Sequence, residues 1–563
     1  MVMSKENSSS LSSKEDVVEA SSSNVQEDSS RAHPLRYVKW IYSLDAFGVE
    51  TRGIERVSPE ERDQLASSSS PYIQLLQVVG LWYAACGGLT SMSSFFLPTL
   101  LFGLTLKDSM VSGLISMIIG CLVPAYCSTM GPKSGCRQMV TARFLFGQWG
   151  VKIVALIAIV GGIGWSVVNC VLGGQMLVAI NKSVSLSVGI VVIAVISLIV
   201  AVFGIKVLLK FQTILSIPIF VACILFYVVV CKKIGYIGKA NEMVREMNTS
   251  TLTYNGNWVS FFTLGYSVTA TWGSGASDYY ILFPEKTSST KVFLITFLGI
   301  ALPTTFVAVS GTLCGSIALS YQPWNDAYNN LGVGGLIVET FSPWGAFGKF
   351  VSVLLYLSLI CNNIMNTYSI AFEFQLIDKL LVFVPRWLWA TVTTAIYIVL
   401  SLVGKEHFST ILSNFLPMLG YWISMYIVLL LEENLMFRST IKVKKLHAKE
   451  FESKGGKEKE EETKEEEDDD DDDECEQSSK FEQLYNWNNW NRPKNRTLGI
   501  AACVAFCCGV AGAVVGMNQV YYRGPLADKI GANGGDIGMF LAFGFTGITY
   551  PILRYLELKR FKR

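Results

Sequence analysis

Apolar segments of about 20 residues recur along most of the chain, and this repetition constrains the fold more than any other feature. A helix of that length crosses the roughly 30 Å hydrocarbon core of a bilayer. Only 16% of the residues are charged, against about 25% in soluble domains. The sequence therefore predicts an all-α polytopic membrane protein with twelve transmembrane helices. The predicted spans are residues 72–103, 109–129, 153–180, 186–204, 209–231, 257–283, 291–320, 345–376, 386–404, 408–431, 497–519 and 535–553.

The basic residues of the short loops predict the orientation of the chain. Lys133 and Arg137 follow the second span, Lys206 and Lys210 follow the fourth, and the C-terminal ILRYLELKRFKR contains five basic residues. Loops rich in Lys and Arg remain in the cytoplasm. Residues 321–343, on the other side, contain no Lys or Arg. Both termini are therefore expected to be cytoplasmic.

The predicted organisation has five parts. They are a disordered Ser-rich tail at residues 1–70, a ten-helix core at 71–431, an acidic cytoplasmic loop at 432–496, two further helices at 497–555 and a basic C-terminus at 556–563. The acidic loop contains KEEEDDDDDDECE at residues 464–476. Like charges this dense repel, so we expect an extended, solvated linker. A regulatory or partner-binding segment is the alternative.

The residues that usually carry catalysis or bind metals are sparse. Most of the 13 Cys lie inside apolar spans, where they behave as small hydrophobic residues. The three His, at positions 33, 407 and 447, are far apart, and no CxxC, HExxH or phosphate-binding loop occurs. We therefore expect neither an enzyme nor a metal site, cofactor or disulfide framework.

Two predicted spans are interrupted by glycine clusters. The first contains CGGLTS at residues 86–91, with Gly87 and Gly88, and the sixth contains GSGAS, which begins at Gly273. The clusters occupy corresponding positions if residues 72–231 and 257–431 are two five-helix repeats of opposite orientation. Paired interruptions of this kind mark the binding site of secondary transporters. Close helix packing through small residues is the alternative.

Aromatic and amide side chains accompany these interruptions. Trp165 and Asn169 are four residues apart in the third span and share one helix face, which suits a flat ring with hydrogen-bonding edges. Trp272, just before the second interruption, would form another wall of such a site. Asn362 and Asn363 begin the NNIMN motif of the eighth span, and amides at that depth face the protein interior. Ordinary packing and helix–helix hydrogen bonds are the alternative.

Several specific motifs occur in order along the chain: ETRGIERV (50–57), GCRQMVTARFLFG (135–147), GWSVVN (164–169), SDYYILFP (277–284) and NNIMNTY (362–368). With these the chain resembles the fungal purine–cytosine permeases, a branch of the nucleobase–cation symporter family. The resemblance implies an inverted 5+5 repeat (LeuT-like) with two additional C-terminal helices. It also implies that Trp165, Asn169, Trp272 and one asparagine of the pair, Asn363 before Asn362, contact the substrate. Gly87, Gly88 and Gly273 complete the predicted binding site.

Two further stretches indicate the substrate. TATWGSGASDYYILFPE (269–285) and HFSTILSNFLPMLGYWISMY (407–426) resemble the vitamin B6 carriers of this branch more than its cytosine carriers. The resemblance implies proton-coupled import of pyridoxine, pyridoxal and pyridoxamine across the plasma membrane. Cytosine carriers have Asn and Ser where this chain has Cys86 and Ala84, which fits a differently substituted ring. A purine–cytosine permease for cytosine, adenine and hypoxanthine is the alternative.

Proton coupling requires a titratable group, and carboxylates in or near the spans are few. They are Asp278, Glu339, Glu373 and Asp378. Asp278, which follows the second interruption, is the first candidate, and a salt bridge to Arg137 or Arg143 is the alternative. The expected partners are a small heteroaromatic substrate and the lipid bilayer, with cytoplasmic trafficking proteins for the tails and no nucleic acid.

Overall fold

The computed structural model describes residues 50, 52–67, 70–406, 408–439, 447–451 and 485–563. Within these ranges, nine helical segments are long and apolar enough to cross a membrane, and two shorter apolar helices, Leu186–Val202 and Ile500–Gly516, accompany them. The prediction of a helical membrane protein is confirmed. The predicted tail at residues 1–49 and the acidic run at residues 464–476 lie outside the described residues.

The long described helices follow the predicted spans, whereas Pro59–Ser67, Ile237–Glu246 and Gln322–Thr340 form helices outside them. In chain order they are α1 Pro59–Ser67, α2 Pro71–Cys86, α3 Leu89–Ser94, α4 Leu97–Leu100, α5 Leu106–Ser128, α6 Met130–Ser134, α7 Gln138–Thr141, α8 Arg143–Ile180, α9 Leu186–Val202, α10 Ile205–Cys231, α11 Ile237–Glu246, α12 Thr251–Ala270, α13 Ser289–Ser320, α14 Gln322–Thr340, α15 Gly345–Ile377, α16 Lys379–Val382, α17 Arg386–Gly404, α18 Phe408–Glu432, α19 Ala448–Phe451, α20 Ile500–Gly516 and α21 Gly538–Phe561. Strands β1 Asn518–Gln519 and β2 Tyr522–Arg523 form an antiparallel hairpin between the last two long helices.

Both predicted interruptions are present. Helix α2 ends at Cys86, and α3 begins at Leu89 after Gly88, whose backbone is extended with φ −131° and ψ −165°. Helix α12 ends at Ala270 and continues as two short 3₁₀ turns, Thr271–Ser274 and Ala276–Tyr279. The chain therefore loses regular α-helical hydrogen bonding at these two places inside the bundle.

Helices α8 and α15 pack against each other near the middle of the bundle. Helix α15 also contacts α2, α9, α10 and α17, while α5 packs on α12 and α13. Buried apolar side chains from these helices form one continuous core. This arrangement places the interrupted first span, α8 and α15 side by side.

The chain before α2 packs on one end of the bundle, which we call the N-terminal face. The Arg56 Nε donates to the Ser134 carbonyl (2.7 Å), the Val57 N–H donates to the Gly135 carbonyl (2.9 Å), and the Arg62 guanidinium donates to the Pro132 carbonyl. The prediction of a disordered tail over residues 1–70 is therefore wrong for residues 52–67. Carbonyl groups around the end of α6 accept these donors, and such tertiary partners cannot be seen in a local composition.

Candidate functional site

A cavity lies between the two interrupted segments and helices α8, α15 and α18. Thr90 and Ser91 line it from α3, Trp165 from α8, Trp272 from the second interruption and Trp422 from α18. Three indoles with hydroxyl groups beside them form a space with flat apolar walls and polar edges. A planar ring with hydrogen-bonding substituents matches such a space.

The two predicted tryptophans both line the cavity, and a further indole, that of Trp82, positions one of them. The Trp82 ring meets Trp272 edge to face, with centroids 5.7 Å apart at 87°, and meets Tyr279 in the same way at 5.6 Å. The Trp82 N–H donates to the Tyr280 hydroxyl at 3.1 Å. The ring plane of Trp272 is therefore set by packing behind it. Trp165 is 9% exposed, because only part of its ring borders the cavity.

A chain of amide hydrogen bonds connects the first interruption to α8 and α15. The Thr90 hydroxyl donates to Asn169 Oδ1 (2.6 Å), Asn169 Nδ2 donates to Asn362 Oδ1 (2.9 Å), and Asn362 Nδ2 donates to the Ala85 carbonyl (2.9 Å). Ala85 lies in the last turn of α2, where a helix leaves carbonyls without internal donors. Asn362 therefore borders the cavity and stabilises the interrupted helix, whereas Asn169, a predicted substrate contact, is fully buried and does not line the cavity.

One face of α15 runs along the cavity for three helical turns. Its cavity-lining polar residues are Asn362, Asn366, Ser369 and Glu373, spaced as neighbours on one helix face. Asn363 points elsewhere, since its Nδ2 is 3.4 Å from the Tyr397 hydroxyl of α17. The structure thus brings Asn362 to the cavity and not Asn363, although the family resemblance favours Asn363. Adjacent residues of a helix point in different directions, so Asn362 and Asn363 do not share a face. Asn366, four residues after Asn362, does share its face and is the second amide of the cavity.

The three predicted glycines pack against neighbouring helices and do not line the cavity. A Cβ at Gly88 would lie 2.3 Å from Ser358 Cβ, one at Gly87 would lie 2.9 Å from Pro303 Cβ, and one at Gly273 would lie 2.7 Å from a Val123 methyl group. These distances are too short for a side chain. The glycines let α13, α15 and α5 approach the interrupted segments, which is the packing alternative left open by the sequence.

Asp278 is buried beside the cavity without lining it. Its Oδ1 accepts the backbone N–H of Gln138 at 2.8 Å. Of its two predicted salt-bridge partners, Arg137 pairs with Glu50 at 3.3 Å, and no ion pair joins Asp278 to Arg137 or Arg143 within the described ranges. Asp278 is therefore held mainly by a backbone hydrogen bond.

A cluster of arginine and aromatic side chains lies between the cavity and the N-terminal segment. We call Glu50, Arg137, Tyr368, Phe372 and Arg386 the Arg137 cluster. The Arg137 guanidinium is 3.2 Å from the centroid of the Phe372 ring, and its Nη2 donates to the Tyr368 hydroxyl at 3.2 Å. Glu50 also accepts the N–H of Ile205 at the start of α10 (2.9 Å). The cluster thus ties together α15, α10 and the chain before α1.

Some cavity residues were not predicted. Thr90 and Ser91 follow the glycine pair directly, so their position beside an interrupted helix was a usable signal. Trp422 had no such signal, because an indole in an apolar helix is usually a core residue. Tyr279 enters the site through the 3₁₀ turns, whose geometry does not follow from the sequence pattern.

Comparisons with known proteins give a consistent result. The family model described as permease for cytosine/purines, uracil, thiamine and allantoin matches residues 73–451. The chain is 48% identical to the vitamin B6 transporter TPN1 of Saccharomyces cerevisiae, covering 97% of this chain and 95% of that protein. It is 29% identical to the purine-cytosine permease fcyB of Emericella nidulans, covering 92% and 90%.

A solved structure shares the fold. Mhp1, a nucleobase-cation-symport-1 family transporter in a closed conformation with bromovinylhydantoin bound, superposes with a TM-score of 0.59 at 11% identity, covering 91% of this chain and 96% of that one. The inward-facing conformation of Mhp1 superposes with a TM-score of 0.55. At this identity the likeness concerns the fold alone.

Proposed function

This chain belongs to the family of permeases for cytosine and purines, uracil, thiamine and allantoin, and we propose that within this family it is a proton-coupled importer of vitamin B6. The observation that carries the proposal is the 48% identity to the yeast vitamin B6 transporter over 97% of the chain. The predicted family is confirmed, and the protein is a transporter and not an enzyme.

The proposed architecture is twelve membrane spans, built as two inverted five-helix repeats and two added helices, in the plasma membrane. Both ends of the described chain meet at the N-terminal face, which supports an even number of spans. Arg56 donates to Asn488 Oδ1 at 2.6 Å, and Arg563 donates to the Lys494 carbonyl at 2.7 Å. The basic C-terminus supports a cytoplasmic position for this face.

The cavity suits the pyridine ring that pyridoxine, pyridoxal and pyridoxamine share. Stacking on Trp165 or Trp272 would contribute about 0.5–1.5 kcal/mol beyond the buried area, and a protonated ring nitrogen would add roughly 0.5–2 kcal/mol over an indole face. Asn366 and Thr90 border the cavity, and their amide and hydroxyl groups would bind the hydroxyl groups of the ring. Asn169 and Asn362 would hold this edge in position through their hydrogen bonds.

A proton is the proposed coupling ion, with no other cofactor. The carboxyl groups at the end of the cavity nearest the N-terminal face, Glu373 and the sequence-predicted Asp278, are the groups available to carry it. A buried carboxyl group changes its charge by binding one proton, which is what coupling to a proton gradient requires.

Uptake in a yeast strain without its own vitamin B6 carrier tests the function. We expect labelled pyridoxine uptake to be competed by unlabelled pyridoxal and pyridoxamine, and not by cytosine, adenine or uracil. Trp165→Ala should abolish uptake at an unchanged surface level, because it removes one wall of the cavity. Trp149→Ala is the matched control, since that indole lies on the same helix and is 76% exposed. Wild-type uptake by Trp165→Ala would contradict the stacking role.

Import of purines and cytosine is the second candidate, favoured by the identity to fcyB. Ala84 and Cys86, the two positions at which this chain differs from cytosine carriers, are buried behind the cavity. Their influence on the substrate would therefore be indirect. Stronger competition by cytosine than by pyridoxal in the same assay would select this candidate.

A further inference from the structure

Glu373 is a buried carboxyl group that faces the cavity. It lines the cavity at the end nearest the Arg137 cluster, and it is 7% exposed. Its Oε2 accepts no hydrogen bond, and no cation lies within 4 Å of either oxygen, in the part of the chain that the structure describes. A carboxylate left in this state is unfavourable, whereas the protonated group is neutral.

The charged and titratable groups on the surrounding elements already have partners. They are Glu50, Arg137, Lys152, Asp278, Tyr279, Tyr368, Asp378 and Arg386. Arg137 and Arg386 approach Glu50 at 3.3 and 3.9 Å, and Lys152 pairs with Asp378 at 3.2 Å. Tyr279 bonds to Ser369 at 3.2 Å, and Tyr368 bonds to Glu50 and Arg137. None of these groups satisfies Glu373.

Asp278 differs from Glu373 in this respect. Its Oδ1 accepts the Gln138 N–H, and Arg137 acts on it electrostatically. Asp278 also repels a negative charge on Glu373. When Asp278 is ionised, a proton on Glu373 removes that repulsion.

The distance from the amide network argues that Glu373 does not contact the substrate ring. Glu373 follows Asn366, the amide proposed to bind the ring, by seven residues, which is roughly 10 Å along a helix at 1.5 Å per residue. This exceeds the length of a single substituted ring. A ring bound at the amides would therefore leave Glu373 as a separate site in the same cavity, on the way to the N-terminal face.

We propose that the Glu373 carboxyl group binds and releases the coupling proton. The inference rests on the proposed function, of which it specifies the coupling step. One O–H bond forms when a carboxylate oxygen takes a proton from water on the side from which the substrate enters. The same bond breaks when the cavity opens to the N-terminal face, and the proton passes to water there. Neutral Glu373 allows the loaded cavity to close, while charged Glu373 opposes closure.

Glu373→Gln tests the proposal, because glutamine keeps the shape of the protonated group and cannot release a proton. Purified protein in liposomes would be assayed with pyridoxine, pyridoxamine, cytosine, adenine and uracil. A pH-sensitive dye inside the vesicles would report proton entry, and exchange of labelled substrate would report transport. We expect Glu373→Gln to lose substrate-driven proton entry and to have an accumulation ratio at least tenfold lower than the wild type. Exchange at equal pH should persist with a KM within about twofold. Glu339→Gln, a carboxyl group bonded to Ser342 far from the cavity, is the control.

Three results would overturn the assignment. The first is accumulation by Glu373→Gln with the wild-type pH profile. The second is loss of proton entry in Asp278→Asn while Glu373→Gln retains it. The third is a KM increase confined to pyridoxamine at unchanged accumulation, which would place Glu373 in contact with the substrate amine. If wild-type protein moves protons only with nucleobases, the vitamin B6 proposal fails while the Glu373 comparison remains valid with those substrates.

Discussion

Asn362 uses both ends of its side-chain amide to hold neighbouring groups. Its Nδ2 donates to the Ala85 carbonyl, and its Oδ1 accepts from Asn169 and Asn366 at 2.9 and 3.2 Å. Leaving a buried polar group without its partner costs about 1–3 kcal/mol. Removal of the amide would affect the interrupted helix, the buried Asn169 and the cavity-lining Asn366 together.

We therefore predict that Asn362→Ala lowers pyridoxine uptake at least tenfold, mainly through a higher KM. Asn363→Ala should have a smaller effect, since its amide makes one long contact with Tyr397. Uptake kinetics at matched surface levels compare the two variants. A larger KM effect for Asn363→Ala would support the order of preference that the sequence motif suggested.

Asn362 and Asn363 also show which details of the site could be predicted from the sequence. The motif identified a polar stretch at the correct depth, and the indoles at positions 165 and 272 were found in the same way. The choice between adjacent asparagines depends on the rotation of α15, which its packing against α8 and α17 determines. Glu373 could be identified as a carboxylate in a span, but the absence of a hydrogen bond at its Oε2 among the described residues is visible only in three dimensions.

At the scale of elements, α15 supports the start of α3. The Ser358 hydroxyl accepts the N–H of Leu89 at 2.9 Å, which satisfies one of the free donors at a helix start. Gly88 lies against the same serine. Its backbone is extended, a conformation that residues other than glycine also adopt. The need for glycine here is therefore steric.

Gly88→Ala should reduce uptake severely, because its Cβ would lie 2.3 Å from Ser358 Cβ and 2.5 Å from its Oγ. Ser358→Gly removes both atoms, so we expect the double variant to recover part of the activity that Gly88→Ala loses. Ser358→Gly alone should be mildly impaired by the loss of the Leu89 contact. Uptake and surface level of the three variants test this, and a double variant no better than Gly88→Ala would show that the backbone, not the contact, requires glycine.

The positions of the interruptions were predictable because glycine clusters inside apolar segments are unusual. The form of each interruption was not, since one is a short extended connection and the other is a pair of 3₁₀ turns. Helix α1 was missed for a related reason. Its sequence is polar, and contacts with the bundle stabilise it. One of them is the ion pair between Arg62 and Glu285 at 3.1 Å.

At the scale of the whole molecule, a buried ion-pair network joins distant parts of the chain at the N-terminal face. Glu433, just after α18, pairs with Arg438 and with Arg554 of α21, both at 2.8 Å. Arg438 also forms an ion pair with Glu450 at 2.9 Å. The nearby His447 has no charge to contribute, because burial and the Arg438 charge lower its pKa to about 3.

This environment predicts a loss of stability in acid. The unfolded chain binds a proton at His447 near pH 6.5, while the folded chain resists it. The contribution of His447 is complete above about pH 6.5 and falls as the pH decreases towards about 3, by roughly 2 kcal/mol at pH 5. Melting temperatures of detergent-purified protein at pH 7 and pH 5 measure this. His447→Gln should narrow the difference between the two temperatures, and an unchanged difference would contradict the assignment.

Glu450 also connects the chain on either side of residues 452–484. Its Oε1 accepts the backbone N–H of Asn486 at 2.9 Å, and its carbonyl accepts the amides of Asn486 and Asn489 at 3.1 and 2.5 Å. The spacing between the two attachment points is thus fixed by the folded chain, and lengthening the intervening segment adds little closure entropy. A fluorescent protein or an epitope inserted there would leave import kinetics intact, which makes this position suitable for a reporter of traffic to the cell surface.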